Sequence, residues 1–197
     1  MIDTVVFDMA KVLLTFDRDY VISCFYKGKD EKLLREKLFV GWEDLDEDLI
    51  SVKDYEDKIA FSLPKRLQPV ARKILNNWEN TMFPTDGIVD FIKELKEKGC
   101  RLYVLSNMTR HFIENDFKFP FLSLFDGIVY SAPIKMVKPN PDIFQYLIDK
   151  YSLNPENCLF VDDRKENLAT GARFKMKTFL FNDNVDELKE YFNSLNR

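Results

Sequence analysis

Five short apolar runs punctuate the chain, and helical stripes separate most of them. The first is Thr4-Val5-Val6-Phe7, which stops at Asp8; the others lie at 101–105, 127–130, 158–161 and 177–181. Each is short and continuous, the pattern of a strand buried on both faces of a parallel sheet. Within 86–98, Ile88, Phe91, Ile92 and Leu95 recur at helical spacing, and Gly99 follows as a C′ residue. Pro141 suits a first helical position, and Ile143, Phe144, Leu147, Ile148 and Tyr151 then form one stripe. Strands alternating with helices predict an α/β fold with a doubly wound parallel sheet.

One stretch breaks the alternation. From 17 to 80 only helical patterns occur: Val21/Ile22/Phe25, Leu33/Leu34/Leu38, Tyr55/Ile59 and Leu67/Val70/Ile74/Trp78. They predict a helical subdomain, 17–80, inserted into a core made of 1–16 and 81–197. An insertion placed just after the first strand sits over the carboxyl end of the sheet, where open α/β sheets bind ligands.

Composition adds modest constraints. The 197 residues are 46% apolar and 31% charged, enough for a sizeable core without disulfide or metal staples. The 18 Phe point to an aromatic core and an aromatic pocket wall. A net charge of −4 with scattered basic residues gives no footprint for nucleic acid or an anionic membrane. The densest charge run, 43–48, is acidic and reads as a solvated helix face. Cys24, Cys100 and Cys158 lack Cys-x-x-Cys spacing, and the lone His111 cannot complete a zinc site with them. Free thiols in the cytoplasm are therefore expected. No apolar run approaches the roughly 18 residues of a membrane span. Asp3 and Asp8 interrupt any N-terminal signal segment.

The candidate chemistry stands at the strand ends. Asp8, Ser106-Asn107, Lys138 and Asp162-Asp163 follow four of the predicted strands, so a parallel sheet brings them to one edge. A hard cation such as Mg²⁺ prefers oxygen ligands and keeps several waters; Asp8 and Asp163 suit it. Lys138 neutralises phosphate charge and favours ionised Asp8. Ser106 and Asn107 can donate to phosphate oxygens. A carboxylate nucleophile then divides one difficult hydrolysis into two steps through an aspartyl-phosphate.

These residues lie in segments that resemble the haloacid dehalogenase (HAD) superfamily of hydrolases. Val5-Val6-Phe7-Asp8-Met9-Ala10-Lys11-Val12-Leu13 is similar to its first motif and Leu105-Ser106-Asn107 to its second. Lys138-Pro139-Asn140-Pro141-Asp142-Ile143-Phe144 resembles the third, and Val161-Asp162-Asp163-Arg164-Lys165-Glu166-Asn167 the fourth. The nearest branch contains a bacterial glucose-1-phosphate phosphatase and the N-terminal phosphatase domain of soluble epoxide hydrolase. The resemblance implies a Rossmann-like core with a helical cap at 17–80 and a Mg²⁺-dependent phosphatase acting on a small phosphorylated metabolite. It implies Asp8 and Lys138 as catalytic residues. Phosphate contacts are implied for Met9, Ala10, Ser106, Asn107 and Lys138. Metal contacts are implied for Asp8, the Ala10 backbone carbonyl and Asp163, with Asp162 as a further candidate ligand. Asn167 falls where many members place another acid that holds metal-bound water.

Three departures stand out. Ala10 occupies the place where the family commonly has a second Asp serving as general acid and base; losing such a group costs roughly 10²–10⁴-fold in rate. Lys11 and Lys135 stand where glycine or another small residue is common, which predicts altered loops because lysine resists φ > 0. Two other readings remain open at this point. Metal-independent dehalogenases also lack the second Asp but have no use for the Asp162-Asp163 pair. A non-catalytic binding module on the same fold is the other.

Overall fold

The computed structural model describes residues 1–197. Its five strands are β1 (Thr4–Phe7), β2 (Arg101–Ser106), β3 (Gly127–Tyr130), β4 (Cys158–Asp162) and β5 (Lys177–Leu180). All pair in parallel, in the order β3-β2-β1-β4-β5. The chain builds outward from β1 to β3, then returns to add β4 on the other side of β1. The crevice at the carboxyl ends of β1 and β4 is therefore the topological switch point, the usual ligand position in such sheets.

Eleven helices complete the fold. Five precede the second strand's own helix: α1 (Arg18–Phe25), α2 (Glu31–Lys37), α3 (Glu43–Asp46), α4 (Val52–Phe61) and α5 (Gln68–Leu75). The remainder are α6 (Ile88–Glu97), α7 (Arg110–Ile113), α8 (Ser131–Ile134), α9 (Pro141–Tyr151), α10 (Lys165–Arg173) and α11 (Val185–Leu195). None is long and apolar enough to cross a membrane.

Strand alternation sorts the core into two layers. Val5, Phe7, Leu102, Val104, Leu159 and Val161 pack with Ile88, Phe91, Ile92 and Leu95 of α6 and Leu188 and Phe192 of α11. Val6, Tyr103, Leu105, Val129 and Phe160 pack on the opposite side with Ile143, Phe144 and Leu147 of α9 and Leu168 of α10. Both faces of the sheet are covered, so its strands carry no polar face. Each fully buried side chain of this kind contributes about 1.5–3 kcal/mol. Gly171 lets α10 close onto β4, because a Cβ there would lie 2.8 Å from Phe160. Asn140 caps α9 by accepting from the Asp142 N–H at 3.0 Å, with Pro141 at the first helical position.

The structure extends two predicted strands by one residue. Ser106 pairs with Tyr130 and Asp162 with Leu180, so both are the last residues of strands and are closed to solvent. The predicted solvated face at 43–48 is also corrected. Leu45 is buried, the Asp48 carboxylate takes 2.6 and 2.9 Å hydrogen bonds from Arg110, and Asp46 lines a cavity. A four-residue helix has no room for a separate wet face when it is wedged against the sheet domain. The loops at Lys11 and Lys135 are not altered as expected either: φ is 62° and 55°, so lysine adopts the left-handed turns.

Candidate active site

The site begins with the way β1 ends. The Asp8 N–H donates to the Val161 carbonyl at 2.9 Å, continuing the ladder one step beyond the strand. The Asp8 carboxylate then turns back and accepts from the Met9 N–H at 2.7 Å. The next residues wind tightly, with Leu13 and Leu14 donating to the Met9 carbonyl, each at 2.9 Å. The Ala10 carbonyl accepts no hydrogen bond and is left free at the site.

Lys138 joins the two central strands. Its Nζ lies 2.8 Å from Asp8 Oδ1 and 2.7 Å from Asp162 Oδ2, and the three side chains are 1%, 10% and 0% exposed. Burial alone would lower the ammonium pKa, but the two carboxylates outweigh it and raise it. Burial pushes the Asp8 carboxyl up to about 6, against the pull of Lys138 and with a further push from Asp162. The backbone of Lys138 is clamped as well. Its N–H donates to Asn107 Oδ1 at 2.7 Å, while Asn107 Nδ2 donates to its carbonyl at 2.8 Å.

Asp162 is saturated. Besides Lys138 it accepts from Asn167 Nδ2 at 2.9 and 3.0 Å and from the Arg164 N–H at 2.8 Å. Asp163, by contrast, has no hydrogen-bonded or ionic partner on the chain and lines the cavity. Its pKa is raised, first by burial and then by Asp162. Carboxylate oxygens of Asp8, Asp162 and Asp163 lie within 4.8 Å of one another. Asn167 Oδ1 is buried without a partner, which is costly unless something supplies a hydrogen bond.

The sequence-predicted residues therefore fall into two layers. Asp8, Ala10, Asn107, Lys138, Asp163 and Asn167 line one cavity of about 620 Å³. Met9, Ser106 and Asp162 lie behind its wall: Met9 is fully buried, and the Ser106 hydroxyl donates to the Asn107 carbonyl at 3.4 Å. The opposite wall comes from the helical segment and from Phe16 just before it. Phe16, Trp42 and Trp78 meet edge to face there, with Trp78 5.7 Å from Phe16 and 5.3 Å from Trp42. Arg18, Arg35 and Asp46 also line it. Sequence reasoning missed the last of these because it took the acidic run as solvated; a Leu45 flanked by acids was the available signal that the helix turns a face inward.

Comparison with known proteins fits this geometry. A model of the haloacid dehalogenase-like hydrolase family matches residues 2–175, and the chain belongs to that family. It is 26% identical to D-ribitol-5-phosphate phosphatase of Bacteroides thetaiotaomicron, over 96% of this chain and 97% of that protein. It is 23% identical to bifunctional epoxide hydrolase 2 of Rattus norvegicus over 90% of its length, which spans only 33% of that longer protein. Among solved structures, a HAD family enzyme from Bacteroides thetaiotaomicron in complex with magnesium and inorganic phosphate superposes with a TM-score of 0.71. That match is at 21% identity and covers 93% and 96% of the two chains.

Proposed function

We propose that this HAD-like hydrolase is a Mg²⁺-dependent phosphomonoesterase that cleaves a small sugar or polyol phosphate through an aspartyl-phosphate on Asp8. The observation that carries the reading is Lys138 Nζ, held 2.8 Å from Asp8 Oδ1 at the rim of the cavity that Asp163 also lines. The aromatic wall of Phe16, Trp42 and Trp78 offers apolar faces to a carbon skeleton. The full-length match to a polyol-phosphate phosphatase supports the same substrate class.

The donor set suits Mg²⁺. Asp8, Asp163 and the free Ala10 carbonyl are hard oxygen ligands, and the orphaned Asn167 Oδ1 is placed to accept from a water of the ion's shell. Asp162, with both oxygens engaged, serves to hold Lys138 rather than the ion. When bound, the ion neutralises phosphate charge and favours ionised Asp8. The chain's own groups do the rest. Asp8 attacks phosphorus in line, and Lys138 stabilises charge on the transferring oxygens. The Asn107–Lys138 clamp keeps the ammonium in register. The helices between β1 and α6 act as the cap that closes the cavity and excludes water. Water then cleaves the aspartyl-phosphate and restores Asp8.

The dehalogenase alternative leaves Asp163 without a function. An unpaired carboxylate with an oxygen within 4.8 Å of one of Asp8's suits a shared cation better than a metal-free nucleophile. The test is phosphate release from a panel of sugar and polyol phosphates with Mg²⁺ and with EDTA. We expect Mg²⁺-dependent turnover that Asp8→Asn abolishes. Absence of turnover by the wild type, or halide release from haloacids that persists in EDTA, overturns the reading.

A further inference from the structure

The cavity contains a carboxyl group that the reaction above does not use. Asp46 closes α3, and its side chain lines the same cavity as Asp8 and Ala10. Its position is fixed through its backbone: the N–H donates to the Trp42 carbonyl at 3.2 Å, and its carbonyl accepts from the Ser131 hydroxyl just beyond β3. The carboxyl itself receives no hydrogen bond and makes no ion pair with the chain. A partly enclosed carboxyl left unpaired, while other acids of this segment such as Asp19, Asp30 and Asp48 are paired with arginine, is free to face a ligand.

We propose that Asp46 is the general acid and base of this enzyme, supplying from the helical segment the proton that Ala10 cannot. The inference rests on the phosphatase reading and deepens it. In the first step the Asp8 carboxylate forms its bond to phosphorus as the ester P–O bond breaks. The Asp46 carboxyl gives its proton to the departing alkoxide, leaving a neutral alcohol. In the second step the Asp46 carboxylate takes a proton from the water that attacks phosphorus. Inorganic phosphate leaves, and both carboxyl groups return to their starting states.

The surroundings keep the group in the state that this cycle needs. Burial, then the nearby Asp8 charge and Glu43 of its own helix, push the Asp46 carboxyl up to about 7. Arg18 of α1 and Arg164 at the start of α10 pull the other way. Lys11, Asp17, Asp19, Arg35, Lys138 and Asp163 also face the cavity, and Glu47 borders its extension beside Asp46. An acid of this strength is held near the working pH, where proton donation and recovery are both accessible.

The leaving group provides the test. A nitrophenolate departs without a proton, whereas a sugar or polyol alkoxide does not. The value kcat/KM reports the step in which the leaving group departs. With wild type and Asp46→Asn, it is measured for p-nitrophenyl phosphate and for glycerol phosphate, ribitol 5-phosphate and glucose 6-phosphate. The variant should lose about 10²–10⁴-fold in kcat/KM on the alkyl esters and under about tenfold in kcat/KM on p-nitrophenyl phosphate, whose departure needs little proton transfer, while kcat falls on every ester because hydrolysis of the aspartyl-phosphate loses its base. Adding Ala10→Asp to Asp46→Asn should recover alkyl turnover selectively. Equal losses on both ester classes, or no loss on either, overturn the assignment of Asp46 alone. A wild-type chain that cleaves none of the four overturns the phosphatase reading, and Asp46 with it. Because Asn preserves the shape of Asp, a melting transition that is unchanged at about pH 3.5 and no lower at neutral pH accompanies the expected result; a collapsed one, with both activities gone, assigns Asp46 to structure.

Discussion

The Asp162 carboxylate holds the Lys138 ammonium at 2.7 Å with both side chains closed to solvent. The contact spans β4 and the loop before α9, so the charge that serves the site is positioned from the far side of the sheet. Asp162→Ala leaves Lys138 with Asp8 as its only anion and strips Asn167 and the Arg164 N–H of their acceptor. Breaking a buried pair from one side costs about 3–5 kcal/mol. Urea unfolding should show a loss of that size, and phosphatase activity should fall with it. Asp163→Asn, which breaks no contact within the chain and removes a carboxylate whose ionisation burial and Asp162 oppose, should not lower stability in EDTA at neutral pH.

Divalent cation should stabilise the fold. A ligand that binds only the native state at about 100 times its Kd adds roughly 2.7 kcal/mol. For a chain of this size that raises Tm by about 5–10 °C. Thermal melts with and without Mg²⁺ should show the rise in wild type and lose it in Asp163→Asn. An equal rise in that variant places the cation elsewhere.

A second buried carboxylate makes stability acid-sensitive. Glu79 is 1% exposed, with His111 Nε2 2.9 Å and Lys118 Nζ 2.7 Å away. Burial opposes its ionisation, but the hydrogen bonds from His111 and Lys118 prevail and hold it below the usual carboxylate range. Such a group contributes its stability above its unfolded value of 4.5 and loses it as pH falls through the lower native value. Glu79→Gln should therefore cost about 1–3 kcal/mol at pH 7 and flatten the decline of stability below about pH 4.5. Unfolding curves from pH 3 to 7 measure both.

Asp46 has the opposite sign. Its native value of about 7 lies above the unfolded value of 3.8. Its contribution to stability is complete below 3.8 and fades as pH rises through about 7. Asp46→Asn should leave Tm unchanged at pH 3.5 and raise it at pH 8, by about 2–4 °C for each kcal/mol relieved. A lower Tm at pH 8 contradicts this.

The legible part of the molecule was the part governed by period and punctuation. The strand positions followed from runs such as Cys158-Leu159-Phe160-Val161, and α9 from its stripe behind Asn140-Pro141. The lining positions of Asp8, Lys138 and Asp163 followed from strand ends in a parallel sheet. What stayed hidden depends on direction over distances no local pattern encodes. Asp162 and Asp163 are adjacent, yet one ends a strand and faces Lys138 while the other opens to the cavity. Ser106 and Asn107 divide in the same way. Asp46 was hidden because a charge run has no periodicity to show which member a short helix turns inward.

The left-handed lysines have a practical corollary for anyone who wishes to make this protein sturdier. Lys11, Lys135 and Lys175 have φ of 62°, 55° and 68°. An L side chain in that region gives up roughly 1–2 kcal/mol, part of which glycine returns through its greater freedom in the unfolded chain. The three turns belong to separate loops, and effects at well-separated sites generally add. Lys135 and Lys175 lie outside the cavity lining, and glycine there gives up only the pairing of two solvent-facing ammonium groups with Asp48 and Glu156, contacts worth little at a surface, so two codon changes should yield a hardier variant. A natural sequence that leaves such improvements unclaimed is stable enough for its task and was never refined beyond it.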